Sequence, residues 1–316
     1  FFILRAIIGA KRPVSAEWRI DMLKIGIVGS DNSHAEAFSQ LINLPNAKTG
    51  EYEYPDCKVV SIFGVEKERT EQVARDGKIE TIVSDPSEMI GKVDAVMIVF
   101  RHGGLHAKYA MPFLKAGIPV WLDKPFTISN EDAKEIIAVS KETGTILTGG
   151  STCKFCYDVL MLKNAVENGS SAGKIQSAMI NFPAELVNEY GGLYFYGAHL
   201  AEMACAAFGY DMKSVMASKN GEDVCAVVKY DRYQIVLNFI NGSVKNYCFV
   251  IGDSGIITRE LDISLAYRNG LDEYIKTLQN GGKIPVSHDN LYATVELLNA
   301  ILESVETGRE VALKGL

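Results

Sequence analysis

The sequence predicts an α/β protein: a doubly wound parallel sheet, followed by an α/β part with a large, mostly antiparallel open sheet. Three observations carry this. Short apolar runs alternate with amphipathic segments from Leu23 to Thr148, the pattern of repeated βα units around a parallel sheet. The first run, LKIGIV, leads through the polar turn GSDNSH (Gly29 to His34) into AEAFSQLI, which is how a phosphate-binding βα unit begins. Beyond Gly150 the apolar period changes to two, as in Val224–Tyr230, Gln234–Ile240 and Val244–Ile251. Turn signals at Asn220-Gly221, Asp231 and Asn241-Gly242 separate these runs, so they pair antiparallel.

Each element has a local reason. Leu23–Val28 is a short buried strand. Ser33–Leu44 carries Ala37, Phe38, Leu41 and Ile42 on helical spacing, and Ser33 with Glu36 forms an S-x-x-E capping box at its start. A strand at Cys57–Phe63, a helix at Lys67–Arg75, a brief strand at Thr81–Val83 and a long apolar strand at Ala95–Phe100 follow. Leu105–Ala116 is a helix stopped by Gly117 and bent by Pro112. Val120–Leu122 and Thr145–Thr148 are strands around a helix that Ser129 caps and Gly144 ends. Two late helices, Leu271–Leu278 and about Asp289–Thr307, close the chain, the second stopped by Gly308. The expected organisation is an N-terminal extension at 1–21, a first α/β unit at 22–150 and a second α/β unit at 151–316. The last helix is expected to pack back on the first unit.

Composition narrows the function classes. The chain has 316 residues and a formal net charge of −7, from 32 basic and 39 acidic residues without a basic cluster. Nucleic acid and anionic membrane surfaces are therefore not expected partners. Six cysteines in a chain of this length do not make a disulfide framework. Cys153 and Cys156 form a lone CxxC, read as packed thiols. No cluster has metal-ligand spacing, so no metal is expected. FFILRAIIGA at the start is apolar but short and carries Arg5; it is read neither as a span nor as a signal peptide, and the cytoplasm is the expected compartment.

Three stretches carry chemistry. A dinucleotide turn wants glycine at its first, third and sixth places; here these hold Gly29, Asp31 and His34. In WLDKPF (Trp121 to Phe126), Pro125 restricts Lys124 at the end of a strand, a rigid mount for a lysine at a cleft mouth. In YFYGAHLAE (Tyr194 to Glu202), His199 and Glu202 are three apart and share a helix face. A histidine at a helix N-terminus is held neutral by the dipole, which suits a base.

Together these stretches resemble the glucose–fructose oxidoreductase / inositol dehydrogenase / MocA family of NAD(P)-dependent oxidoreductases. GIPVWLDKPFTIS looks like the family's G-K-H-V-x-x-E-K-P segment, with Asp123 for the usual Glu, and FYGAHLAEM looks like its D-x-G-x-H-x-x-D segment. The resemblance implies a Rossmann domain holding NAD or NADP and a second domain forming a substrate wall and an oligomer interface, in a homodimer or homotetramer. It implies Lys124 and His199 as the catalytic pair, with His199 taking the hydroxyl proton and Lys124 stabilising the alkoxide. Gly29, Ser30, Asn32, Ser33, Gly64, Glu66, Arg101, His102, Asp123 and Lys124 fall at cofactor positions. Lys154, Phe195, Tyr196 and Glu202 fall at substrate positions. The implied reaction is hydride transfer between the nicotinamide and a secondary alcohol or ketone of a sugar, cyclitol or polyol. An inactive NAD(P)- or ligand-sensing protein on the same fold, or an NAD-dependent glycosidase without net redox, are the alternatives.

Three departures bear on the chemistry. Phe195 stands where the family has an aspartate four residues before the histidine. Gly64 stands where an NAD enzyme has the acid that binds the ribose hydroxyls, with Glu66 two residues on and Lys67 or Arg69 available to a 2′-phosphate, so NAD and NADP both stay open. RHGG (101–104) replaces the usual turn after the fourth strand and adds positive charge.

Overall fold

The computed structural model describes residues 22–242 and 244–316; the extension at 1–21 lies outside them. Six parallel strands form the first sheet: β1 (Leu23–Val28), β2 (Cys57–Phe63), β3 (Thr81–Ile82), β4 (Ala95–Ile98), β5 (Val120–Leu122) and β6 (Leu147–Gly149). Their order is β3-β2-β1-β4-β5-β6, the doubly wound order whose switch point lies between β1 and β4. β1, β4 and β5 are buried along nearly their whole length, because helices cover both faces.

One face is covered by α1 (Ser33–Asn43), α2 (Lys67–Asp76) and, unexpectedly, α7 (Ala266–Gln279), whose Leu271, Tyr274 and Ile275 join the core of β1 and β2. Tyr274 donates its hydroxyl to Val96 O at 3.0 Å. The other face holds α3 (His106–Lys115), α4 (Asn130–Thr143) and the first half of α8 (His288–Thr307), through Leu291, Tyr292 and Val295. The second half of α8, with Leu297, Leu298, Ala300 and Ile301, packs in the core of the second sheet.

That sheet has seven strands: β7 (Ile175–Pro183), β8 (Ser214–Asn220), β9 (Asp223–Lys229), β10 (Gln234–Ile240), β11 (Tyr247–Gly252), β12 (Ile256–Glu260) and β13 (Val311–Ala312), ordered β12-β11-β7-β10-β9-β8-β13. It is antiparallel except for β7 with β10. The helices α5 (Tyr157–Asn168) and α6 (Leu193–Phe208) back one face. The other face leaves Met179, Met216, Tyr247 and Ile251 exposed.

Local signals set most helix ends. Ser129 caps α4, accepting from Asp132 N at 3.2 Å, and Gly144 ends it at φ 67°; Gly308 ends α8 in the same left-handed conformation. The start of α1 differs from expectation. Asn32, not Ser33, is its cap, accepting from His34 N at 3.3 Å. Glu36 closes no box; it pairs with Arg69 at 3.0 Å.

Candidate active site

The turn after β1 leaves backbone N–H groups free at the start of α1. Gly29 adopts φ +108°, and a Cβ there would lie 2.8 Å from Phe100 N, so only glycine lets the chain pass this close to the end of β4. The N–H groups of Ser30, Asp31, Asn32 and Ser33 have no acceptor among the described residues, and they sit at the N-terminal end of α1. Asp31 is turned toward the loop after β4, accepting Arg101 N at 3.1 Å. Gly64 is packed against Ser30 and Thr70, whose hydroxyls bond at 2.8 Å. Glu66 is exposed at the start of α2.

Asp123 and Lys124 follow β5 beneath this turn, and both are buried. Asp123 Oδ2 lies 2.6 Å from His34 Nδ1 and accepts from Asn32 Nδ2 at 3.3 Å. Asp123, expected among the cofactor residues, is fully buried and holds the turn after β1 through His34 and Asn32. Burial pushes its carboxyl up, but His34, then Lys124 and His106, together outweigh burial and leave it below the usual range. His34 fills the place of the third fingerprint glycine, wedged between Phe38 and Tyr267 with ring centroids at 5.8 and 4.8 Å.

Lys124 Nζ donates to Phe195 O at 3.2 Å and lies 3.9 Å from the centre of the Phe195 ring and 5.4 Å from that of Tyr196. The residue in the aspartate's place thus gives the lysine a carbonyl and an aromatic face in place of a carboxylate. Burial lowers the Lys124 ammonium to about 8, with Asp123 acting in the opposite direction.

His199 comes close to Lys124 and His34. Its Nδ1 lies 2.7 Å from Ser151 Oγ and 3.4 Å from Cys153 Sγ, and its ring centre is 6.4 Å from that of His34. The helix begins at Leu193, so His199 is in its second turn, beyond the reach of the dipole. Its neutrality has another cause: burial, then the charges of Lys124 and His34, hold it well below the ordinary imidazole range.

Lys154 and Glu202 do not reach a ligand. Each is 2% exposed, and they pair at 2.6 Å. Glu202 also accepts Ser151 N at 2.6 Å, and Lys154 donates to Gly149 O at 2.6 Å. A Cβ on Gly150, at φ +80°, would lie 2.3 Å from Glu202 Oε2. The expected substrate role of both residues is therefore corrected: they join the segment after β6 to α6. The shared face of His199 and Glu202 holds, since both side chains meet Ser151.

Arg101 and His102 stand at the rim. Arg101 Nη1 donates to Tyr190 OH at 2.7 Å, and its guanidinium lies 4.7 Å above that ring. His102 Nδ1 accepts Gly104 N within its own turn. Tyr196 is 42% exposed. His34, Ser151, Cys153 and Tyr267 are the site residues that sequence reasoning did not assign. One signal was present: two departures from the family pattern, His34 for glycine and Asp123 for glutamate, turn out to touch each other. Among the described residues no group of three His, Cys, Asp or Glu side chains is arranged to hold a metal ion. No described helix is long and apolar enough to cross a membrane.

A βα turn with free backbone N–H groups, and a buried lysine and a buried histidine beyond the strand ends, make a candidate nucleotide site on a doubly wound sheet. Residues 23–151 match the family described as an oxidoreductase family with an NAD-binding Rossmann fold. Over those residues the chain is similar to the glucose–fructose oxidoreductase / inositol dehydrogenase / MocA family. It is 24% identical to scyllo-inositol 2-dehydrogenase (NADP(+)) IolW of Bacillus subtilis, over 60% of this chain and 53% of that one. It is 24% identical to myo-inositol 2-dehydrogenase of Thermotoga maritima, over 72% and 66%. It is 30% identical to the NAD(+)-linked scyllo-inositol 2-dehydrogenase of Bacillus subtilis, over 51% and 49%. The matches thus span about half to two thirds of the length of these relatives. Two solved structures share the fold: GenD2 from gentamicin A biosynthesis in complex with NAD (TM-score 0.80, 13% identity, 96% of this chain and 99% of that one), and apo scyllo-inositol dehydrogenase from Lactobacillus casei (TM-score 0.77, 16% identity, 92% and 98%).

Proposed function

We propose that the protein is an NAD(P)-dependent dehydrogenase acting on a secondary alcohol of a sugar, cyclitol or related polyol. The observation that carries this reading is the buried Lys124 ammonium beside a neutral His199, beyond the C-terminal ends of β5 and β6. Two groups close to their neutral forms near pH 8, in a site largely closed to water, suit reversible proton transfer to and from a substrate oxygen. The inositol dehydrogenases among the relatives support the polyol class.

The residues of the first sheet fit a dinucleotide. The unpaired N–H groups of Ser30 to Ser33, with Gly29 and the start of α1, would hold the pyrophosphate. Gly64 and Glu66, after β2, would meet the adenosine ribose. When bound, the oxidised nicotinamide supplies the hydride acceptor. Lys124 and His199 then handle the hydroxyl proton, while Phe195 and Tyr196 exclude water around the ammonium. We take residues 22–150 as the nucleotide unit and 151–316 as the substrate unit, with the exposed apolar face of the second sheet as the contact between copies in a homodimer or homotetramer.

The test is a titration of the protein with NADH and NADPH, followed by fluorescence and melting temperature. A polyol and cyclitol screen for nicotinamide reduction follows. Binding of one nucleotide and turnover of one substrate class is expected, with Lys124→Ala and His199→Ala each lowering kcat/KM by about 10²-fold or more. No response to either nucleotide would overturn the reading.

A further inference from the structure

We infer that Ser151 is the positioning residue of this site: its hydroxyl fixes His199 as a hydrogen-bond donor toward the cleft, which leaves Lys124 to take up the alcohol proton. The tautomer rests on hydrogen-bond geometry alone; its chemical consequence rests on the dehydrogenase reading above.

The geometry is a proton count. Ser151 Oγ caps the short helical turn Thr152–Phe155 by accepting Cys153 N at 3.2 Å. Ser151 is fully buried, and among the described residues the only other partner of its hydroxyl is His199 Nδ1, at 2.7 Å. The hydroxyl proton has nowhere else to go. Were Nδ1 the protonated nitrogen, the serine O–H would be left without an acceptor, a penalty that shifts the tautomer ratio by about tenfold or more. Cys153 adds to this. Its thiol lies 3.4 Å from the same nitrogen, and burial pushes it up to about 12, so it too is a donor. Nδ1 thus faces two donors, and the proton of the neutral ring sits on Nε2. Among the described residues that atom has no protein partner, and it is not sealed from solvent.

A carboxylate at the Nδ1 side gives the reverse result. It accepts from Nδ1–H and leaves Nε2 bare as a base. Here Phe195 holds the aspartate position and faces Lys124 instead, while the serine after β6 takes over the histidine. His199 then offers N–H to a substrate oxygen and has no lone pair on Nε2 with which to accept a proton. The remaining acceptor is Lys124. In the dehydrogenase reading, the carbinol C–H bond would break as its hydride goes to the oxidised nicotinamide, while the O–H bond breaks and an N–H bond forms on the neutral Lys124 amine; the ammonium later releases that proton to water. The groups around His199 are Lys124, His34, Ser151, Cys153, Phe182 and Tyr196, with Glu202 engaged by Lys154. Those acting on Lys124 are Asp123, Cys153, Arg101 and Asp31. None of these places a carboxylate at His199 Nδ1.

The test reads the tautomer directly, without cofactor or substrate. In protein labelled with ¹⁵N-histidine, long-range ¹H–¹⁵N correlations assigned with His199→Gln should show His199 as the Nε2–H form. Ser151→Ala should weaken that preference, Ser151→Ala with Cys153→Ala should erase it, and Ser151→Thr should keep it. The pH profile of alcohol oxidation should rise along a single ionisation near 8. Ser151→Ala should lower kcat/KM about tenfold or more, and Ser151→Thr should restore most of it. An Nδ1–H form in the wild type, or an unchanged tautomer in a Ser151→Ala protein of normal melting temperature, overturns the inference. If Ser151→Ala does not fold, the wild-type and Ser151→Thr spectra decide. The Nε2–H form without any NAD(P)-dependent turnover keeps the positioning role and sinks the dehydrogenase reading; turnover with the Nδ1–H form does the opposite.

Discussion

Two buried pairs of ionisable side chains flank the site, and they are built differently. Lys154–Glu202 is complete. Both carboxylate oxygens are engaged, one by Lys154 and one by Ser151 N, and the ammonium also reaches Gly149 O. His34–Asp123 is incomplete. Asp123 crowds His34 and Asn32 onto Oδ2 and leaves Oδ1 buried without a partner. A buried pair returns its desolvation cost only when the remaining lone pairs are satisfied. The complete pair is a brace between β6 and α6. The incomplete one leaves negative charge beside Lys124, where it opposes the effect of burial on the ammonium. Burial alone does not distinguish a structural charge from a functional one; the tally of satisfied atoms does.

The largest test of this contrast breaks the brace. Glu202→Ala leaves Lys154 charged and buried, and urea unfolding should show a loss of about 3–5 kcal/mol. Lys154→Met with Glu202→Leu should recover most of it, because the brace has no chemical duty. Next comes the lysine itself. Its ammonium titrates near 8 in the fold against about 10.4 in an unfolded chain. The unfolded state therefore binds more protons between those values, and stability rises as pH rises through that window. Below pH 8 the charged lysine costs about 3 kcal/mol. Lys124→Met should abolish turnover yet raise the melting temperature at pH 7, with the gain shrinking toward pH 10.

Asp123→Asn should cost about 2 kcal/mol and move the pH profile of turnover downward, since the lysine loses the charge that raises it. A profile that stays in place would show that the incomplete pair does not tune Lys124. The smallest effect belongs to Asp31. Asp31→Asn keeps an acceptor for Arg101 N but removes a charge from the anion turn, so nucleotide binding should tighten by about 0.5 kcal/mol. Asp31→Gly should weaken it, because the tie to the loop after β4 is lost. Isothermal titration with NAD(P)H separates the two.

Much of the fold was legible because its signals are local. Strand–helix alternation, caps at Ser129 and stops at Gly144 and Gly308 each depend on a few neighbouring residues. The start of α1 was misread because Asn32 and Ser33 are both good caps, and Glu36 found Arg69, distant in sequence, a better partner. The reach of α7 onto the first sheet was not legible, since an amphipathic helix shows that it needs a partner but not which one. In the site, Lys124 and His199 stood out by motif. Lys154 and Glu202 were assigned to substrate because sequence spacing cannot reveal that two charges satisfy each other.

The sequence by itself determined the succession of elements, the anion turn at Gly29, and which side chains could carry proton chemistry. These follow from periodicity, turn chemistry and residue type, all short-range properties of the chain. Only the tertiary structure decided which charges are spent and which are free, that His34 rests on Asp123, and that Ser151 faces His199. Those outcomes depend on hydrogen-bond partners tens of residues apart in sequence, and a buried polar atom's character is set by the partners that folding brings to it.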